Sequence, residues 1–125
     1  MLDIKGKSSV GIAIAYYSLR GMVSIPLQPL HDYNLLFDNE IYISRINVIS
    51  CSYKTKYGVF SASIRTSGGN QPNSQIKKFD SKSCEFLFVV TSEMDLYEIP
   101  SDQIASTRQI SLNKYSQFKV NLIPS

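Results

Sequence analysis

The chain has 125 residues, of which 43% are hydrophobic and 18% are charged, and its formal net charge is +3. This composition is typical of a folded globular protein with a core of its own, and it excludes a disordered chain. We interpret the length as one domain spanning 1–125. A net charge of +3 is too small to indicate nucleic-acid binding by itself.

The two cysteines, Cys51 and Cys84, lie in or beside strand-like segments and have no CxxC spacing. This placement favours buried or edge thiols in a reducing cytosol over a disulfide or a metal site. No charged region followed by an apolar run opens the chain, and no apolar stretch approaches ~18 residues. These features predict a cytoplasmic protein without a secretion signal or a membrane span.

The first predicted element is a helix over 10–19, with Ser8 or Ser9 as its N-cap. Its apolar residues recur at helical spacing, which gives one face suited to packing on a sheet. Gly21 is expected to end the helix as a left-handed cap residue. The run 22–25 then predicts a short buried strand.

The stretch 32–50 predicts a β-hairpin, because the apolar runs 34–37 and 41–49 flank a plausible tight turn at Asp38-Asn39. Alternation along the second run defines two faces. Tyr42, Ser44, Ile46 and Val48 share one face, while Ile41, Ile43, Arg45, Asn47 and Ile49 share the other. Asp32 lies at the mouth of this hairpin, close to where Asn47 should lie on the returning strand.

Later segments predict a sheet that is mostly antiparallel. The run 59–65 alternates as a strand, and 66–74 is loop-rich. The nearly continuous apolar run 85–90 predicts a strand that is covered on both faces. Met94-Asp95 is expected to turn into a strand over 96–99, and 110–112 and 118–122 supply late strands. One helix with such a sheet is an α+β domain.

Basic residues predominate between Tyr53 and Lys82, where Asp80 is the one acidic residue. The basic residues are Lys54, Lys56, Arg65, Lys77, Lys78 and Lys82. Tyr53 and Tyr57 alternate with Lys54 and Lys56, and aromatic and cationic groups together can stack on bases and pair with phosphates. An ordinary solvated surface carrying lysines is the alternative interpretation.

Enzymatic motifs are sparse: the sequence has no P-loop, no GxGxxG and no His/Cys cluster at ligand spacing. Asp32 facing Asn47 is the layout of many metal-dependent nucleases, but Ile49 stands where such a site carries a lysine. A metal-dependent phosphodiesterase needs at least two carboxylates around the ion. The residues alone therefore leave two interpretations of Asp32, a metal ligand or a loop aspartate that binds backbone amides.

Segments spread in order along nearly the whole chain carry a family resemblance. They are Lys5–Ser9 with the following helix, the strand ending at Ile25-Pro26, Asp32–Leu36, Arg45–Val48, Ser63–Arg65, 86–90, 96–100, 110–112 and 115–120. These segments resemble the PD-(D/E)XK-type homing endonucleases of cyanobacterial group I introns. The resemblance implies a restriction-endonuclease-like core, with a mostly antiparallel or mixed central sheet, an N-terminal helix and short C-terminal elements. It also implies duplex DNA binding, a homo-oligomer (dimer or tetramer) and Mg²⁺ at each active site.

The resemblance also places the family's site residues on this chain. The helix glutamate falls on Val10, the PD aspartate on Asp32, and the strand glutamine (or glutamate) and lysine on Asn47 and Ile49. Asp32 and Asn47 are remnants of that site, whereas Val10 and Ile49 can neither bind a metal nor stabilise charge. Asp32 is a metal ligand only if activity survives, for example with a migrated lysine at Lys54 or Lys56.

The leading hypothesis is therefore a catalytically inactive relative, without a cofactor, that binds DNA or structured RNA. The expected contact residues are Tyr53, Lys54, Lys56, Arg65, Lys77, Lys78 and Lys82. One alternative is a structural or assembly subunit bound to a protein partner. The other is a residual Mg²⁺-dependent DNA endonuclease with a rearranged site.

Overall fold

A computed structural model of the chain describes residues 6–27, 32–65 and 78–124. Its elements are the helix α1 (Gly6–Ser18) and the strands β1 (Met22–Ser24), β2 (Leu35–Asp38), β3 (Ile43–Cys51), β4 (Ser61–Ser63), β5 (Phe86–Thr91), β6 (Leu96–Pro100), β7 (Gln109–Ser111) and β8 (Lys119–Val120). Two 3₁₀ segments, Ser101–Gln103 and Leu112–Phe118, complete the described elements. No helix in these three ranges is long and apolar enough to cross a membrane.

The strands form a six-stranded sheet in the order β1-β2-β3-β5-β6-β8 and a separate two-stranded ribbon, β4–β7. β3 and β5 are parallel, and every other neighbouring pair is antiparallel. The predicted α+β class with a mixed central sheet is confirmed. The apolar run predicted to be covered on both faces is β5, which is buried from Leu87 to Thr91.

The sheet lies between two apolar layers. On one face α1 packs through Tyr16 and Tyr17 against residues such as Ile46 and Phe88. On the other face the β4–β7 ribbon packs in a second cluster with residues such as Leu87. β3 therefore alternates as predicted, with Ile46 and Val48 toward the helix and Ile49 and Cys51 toward the ribbon.

A buried polar contact joins α1 to β6. The Tyr17 hydroxyl donates a hydrogen bond of 2.6 Å to Glu98 Oε2. Burial raises the pKa of the Glu98 carboxyl, and the hydrogen bond from Tyr17 opposes this shift. Burial and the neighbouring Glu98 raise the pKa of Tyr17, so the phenol stays protonated and keeps donating.

Arg20 fastens the end of α1 to the segment after β8. Its guanidinium donates to the carbonyl oxygens of Tyr16 at 2.7 Å, Asn121 at 2.9 Å and Leu122 at 3.0 Å. It also lies 3.7 Å from the centre of the Tyr16 ring. An arginine that binds three carbonyl oxygens and stacks on an aromatic ring has a structural role here.

Several local predictions at the start of the chain were wrong. The helix begins at Gly6, before the predicted Ser8 or Ser9 cap. Gly21 is not in the left-handed region. It is needed because a Cβ there would lie 2.6 Å from the Asp38 carbonyl oxygen and 2.8 Å from Phe37 Cε1. β1 is an exposed edge strand rather than a buried one, with Met22 69% exposed.

Two element boundaries also differ from the prediction. In the central hairpin Asp38 ends β2, and the turn follows over 39–42 with Glu40 at φ 76°. Asn39 Oδ1 accepts hydrogen bonds from the Ile41 and Tyr42 N–H groups, which closes this longer turn. The predicted strand 59–65 is a β-strand only over Ser61–Ser63. Its pairing partner β7 also has three residues, so the ladder between them is no longer than that.

Candidate nucleic-acid interface

The residues carried over from the family's active site lie on both faces of the sheet. Val10, on α1, packs partly buried against the helix-side cluster, and its neighbour Ser9 is hydrogen-bonded at 2.6 Å to Ser50 near the end of β3. Asn47 is buried in β3, and Ile49 packs against the ribbon-side cluster. The two apolar replacements therefore serve different layers of the core.

The mouth of the hairpin is closed by Asn34, a residue that the sequence analysis did not single out. Its main-chain N–H donates to the Ile46 carbonyl oxygen at 3.0 Å. Its side-chain amide then receives the Val48 N–H at 2.8 Å and donates to the Val48 carbonyl oxygen at 3.2 Å. The Asn34 side chain thus extends the hydrogen bonding between β2 and β3 as far as Val48. Asp32 is half-buried and lies two residues before Asn34 in the sequence.

The carried-over residues do not fit a magnesium ion. Mg²⁺ prefers oxygen ligands in an octahedron, usually with one or two protein carboxylates. Asp32 offers one carboxylate and Asn47 one amide, while Val10 and Ile49 offer no donor atom. In the ranges that the structure describes, no group of three or more His, Cys, Asp or Glu residues could hold a metal ion.

The Tyr/Lys segment after β3 pairs one of its two lysines with a carboxylate and leaves the other exposed. Lys54 Nζ lies 2.5 Å from Glu93 Oε2 and 4.8 Å from the centre of the Phe60 ring. Lys56 is exposed and lies 5.1 Å from the centre of the Tyr57 ring. Tyr53 is 63% exposed. Tyr53 and Lys56 are therefore open to a ligand, whereas the charge of Lys54 is balanced by Glu93.

A groove of about 560 Å³ opens beside Tyr53, between the end of β3 and the β4–β7 ribbon. Its described lining consists of Ser50, Cys51, Ser52, Tyr53, Ser61, Ala62, Ser63, Arg65, Arg108 and Gln109. Two arginines and four serines face one space, and none of these lining residues is acidic. We call this feature the arginine groove.

Ribbon pairing brings the two arginines together from positions far apart in the sequence. Ser63 pairs with Gln109, and the Ile64 N–H donates to the Arg108 carbonyl oxygen at 3.0 Å. Arg65 and Arg108 therefore lie at the same end of the ribbon, just beyond the Ser63–Gln109 pair. Arg108 was missed because it stands alone among neutral residues, so only the unforeseen pairing of β4 with β7 could have indicated it.

The other predicted cations are divided between the two ends of β3. Lys78 is exposed, and the main-chain N–H of the next residue, Phe79, donates to the Thr107 carbonyl oxygen at 2.8 Å, one residue before Arg108. Lys82 is also exposed but lies at the opposite end, where its carbonyl oxygen accepts a hydrogen bond from Arg45. Lys77 is outside the described residues.

The two cysteines are free and buried. Cys51, at the base of the arginine groove, has its Sγ 3.4 Å from the Ser61 carbonyl oxygen. Burial raises the pKa of both thiols, which keeps them protonated and unreactive. The expectation of buried thiols is confirmed.

No protein-family model and no curated protein matches this chain. Among solved structures it is similar to a bacterial homing endonuclease, I-Ssp6803I, with a TM-score of 0.71 and 24% sequence identity. The similarity covers 86% of this chain and 75% of that chain. The chain has a homing-endonuclease-like fold.

In this homing-endonuclease-like fold, α1 and the mixed central sheet correspond to the N-terminal helix and the sheet that the resemblance implied. The arginine groove follows directly after the part of β3 that carries Asn47 and Ile49. The groove and the positions of Asn47 and Ile49 are thus neighbours on one strand.

Proposed function

We propose that this chain binds nucleic acid through the arginine groove and does not cleave it with a metal ion. The observation that carries the proposal is a pair of arginines, Arg65 and Arg108, in a serine-lined groove whose described lining holds no carboxylate. The homing-endonuclease-like fold supports a nucleic acid as the ligand class.

The groove has the groups that a phosphodiester backbone needs. A guanidinium binds phosphate oxygens through two parallel N–H donors, and serine hydroxyls and main-chain N–H groups add further contacts. Exposed Tyr53 at the rim offers a ring on which a base can stack. Lys56, exposed three residues after Tyr53, and Lys78, exposed near the Thr107–Arg108 segment, would extend the positive surface beyond the two arginines.

The proposed absence of cleavage rests on the apolar side chains of Val10 and Ile49. Both are apolar and pack in opposite core layers, so neither position can bind an ion or stabilise a developing negative charge. Lys54, a candidate for a migrated catalytic lysine, has its ammonium group paired with Glu93 at 2.5 Å. Among the four positions carried over from the family, Val10, Asp32, Asn47 and Ile49, Asp32 is the one that has a carboxylate.

Binding should depend strongly on salt. Fluorescence anisotropy of labelled duplex DNA, single-stranded DNA and a structured RNA, measured across a series of salt concentrations, is expected to give a linear fall of log affinity with log salt. The slope should be about −2 to −4, because each neutralised phosphate contributes about −0.9 on duplex DNA and about −0.7 on single strands. Absence of binding to all three ligands at low salt would sink the proposal and favour a structural subunit with a protein partner.

Cleavage should be absent. Supercoiled plasmid incubated with the protein and Mg²⁺ or Mn²⁺ is expected to remain intact, and the Asp32→Ala variant should behave identically while binding nucleic acid as tightly as the unmodified chain. Metal-dependent nicking that disappears in Asp32→Ala would contradict the second half of the proposal and indicate a rearranged active site.

A further inference from the structure

A second groove of about 560 Å³ opens at the opposite end of β3 from the arginine groove. It is lined by residues of the β2–β3 turn, of β3 and of the segments 81–86 and 100–102, and we call it the Ser44 pocket. Ser44 lies six residues before Ser50, which lines the arginine groove, so about 20 Å of extended strand separates these two residues. The described linings of the two grooves share no residue. The Ser44 pocket is therefore a separate site.

The hydroxyl of Ser44 is buried without a hydrogen-bond partner among the described residues. Ser44 is 1% exposed and lines the pocket. No other side-chain nitrogen or oxygen in the described ranges is buried and unpartnered in this way. Such atoms are rare because a buried donor or acceptor that makes no hydrogen bond is unfavourable. The hydroxyl therefore favours a ligand that brings a hydrogen-bonding group to this point of the pocket.

The wall of the pocket is held in place by Arg45. Its guanidinium donates to Glu85 Oε2 at 2.6 Å and to the Lys82 carbonyl oxygen at 3.0 Å. Its main-chain N–H donates to Glu85 Oε1 at 2.6 Å, and the Glu85 N–H donates to the Arg45 carbonyl oxygen at 2.9 Å. These bonds fasten the segment 82–85 to β3. The pocket is therefore formed before a ligand arrives, as small-molecule sites usually are.

The charges of the described lining cancel. Arg45 and Glu85 neutralise each other, and the hydrogen bonds from Arg45 hold the pKa of the Glu85 carboxyl below its ordinary value. The other two charged lining residues, Lys82 and Asp102, are exposed and of opposite sign. A lining without net charge favours an uncharged ligand over a phosphate or a carboxylate. Lys82 and Asp102 still offer that ligand one donor and one acceptor.

We propose that the Ser44 pocket binds a nucleobase, with the Ser44 hydroxyl hydrogen-bonded to the edge of the ring. A nucleobase is flat and uncharged, and its edge carries both donors and acceptors. Tyr42, which is 56% exposed, and Phe86, which is half-buried, line the pocket and offer aromatic rings on which a base can stack. A volume of about 560 Å³ lies within the range of about 300 to 1,000 Å³ that is typical of small-molecule sites. The proposal does not rest on binding at the arginine groove.

The test uses uncharged nucleosides, which have no phosphate for the arginine groove to bind. Calorimetric titration of the nucleic-acid-free chain with adenosine, guanosine, cytidine and uridine is expected to show saturable binding of at least one of them. Ser44→Ala should weaken that binding by about three- to tenfold, because one hydrogen bond is lost. If Ser44→Ala fails to fold, Tyr42→Ala serves in its place, since it removes an exposed ring and should cost about tenfold.

Ser9→Ala is the matched control, because Ser9 is also buried but its hydroxyl is hydrogen-bonded to Ser50, away from the pocket. Ser9→Ala should keep the nucleoside affinity and lower the melting temperature. Ser44→Ala should lower the affinity without lowering the melting temperature of the nucleoside-free protein, because its hydroxyl has no hydrogen bond to lose.

The base that the pocket binds can belong to a free nucleoside or to a nucleic-acid strand. If Ser44→Ala weakens binding of single-stranded DNA by the same factor as binding of the nucleoside, the base belongs to the strand. If binding of the strand is unchanged, the ligand is the free nucleoside. Absence of saturable binding for all four nucleosides, or equal affinity of Ser44→Ala and the unmodified chain, would overturn the proposal and leave the proposed function of the arginine groove intact.

Discussion

Replacing Arg65 and Arg108 together with glutamine is expected to weaken nucleic-acid binding by about a hundredfold or more at low salt. Each charge-assisted hydrogen bond to phosphate contributes about 1.5 to 3 kcal/mol, and two such contacts are removed. The salt slope should also become less negative by about 2, because two fewer phosphates are neutralised. Anisotropy across a salt series measures both quantities.

Two further variants distinguish the loss of charge in the groove from the loss of a charge elsewhere and from the loss of base stacking. Lys114→Gln removes one positive charge from an exposed residue that does not line the arginine groove, so its affinity should stay close to that of the unmodified chain. Tyr53→Ala should lower affinity by about 1 to 3 kcal/mol while leaving the slope unchanged, because stacking releases no counterions. If the arginine double variant keeps the full slope, nucleic acid does not bind at this groove.

Gly21→Ala is expected to lower the free energy of unfolding by about 1 to 3 kcal/mol, as overpacking does elsewhere. The new methyl group would lie 2.6 Å from the Asp38 carbonyl oxygen and 2.8 Å from Phe37 Cε1. The first of these is main chain in the β1–β2 pair, so the clash is relieved only if the strands move apart. Urea unfolding followed by circular dichroism measures the change.

Gly11→Ala is the matched control, because it makes the same substitution in the interior of α1. A Cβ at Gly11 has no neighbour within 4 Å, and alanine stabilises a helix interior by about 0.5 to 1 kcal/mol relative to glycine. The two variants should therefore shift the unfolding midpoint in opposite directions. A gain in stability from Gly21→Ala would show that β1 is not held as closely to β2 as the structure indicates.

Sequence periodicity predicted the parts of the fold that depend on local pattern. Alternation along the predicted strand 41–49 defined the two faces of β3, because one face packs under α1 and the other under the ribbon. The continuous apolar run at β5 indicated a strand covered by both layers. The α+β class followed from these elements and the single helix.

Contacts between distant segments could not be predicted from the local sequence pattern. The arginine groove exists because β4 pairs with β7, and two three-residue strands give too little alternation to reveal a partner. Gly21 was interpreted as a helix cap because a sequence does not show that another strand passes within contact distance. Asp32 and Asn47 stay predicted remnants of an active site, since their chemistry is untested.

The Arg20 guanidinium joins parts of the chain that lie far apart in the sequence. It binds carbonyl oxygens 101 and 102 positions further along, so these hydrogen bonds require the two ends of the chain to come together. The central parallel pair likewise joins residues 40 positions apart, from Ile46 to Phe86. Closing such long loops costs entropy before any of these contacts compensates for it. We therefore expect folding on the slow scale of about milliseconds to seconds that is typical of sheet proteins.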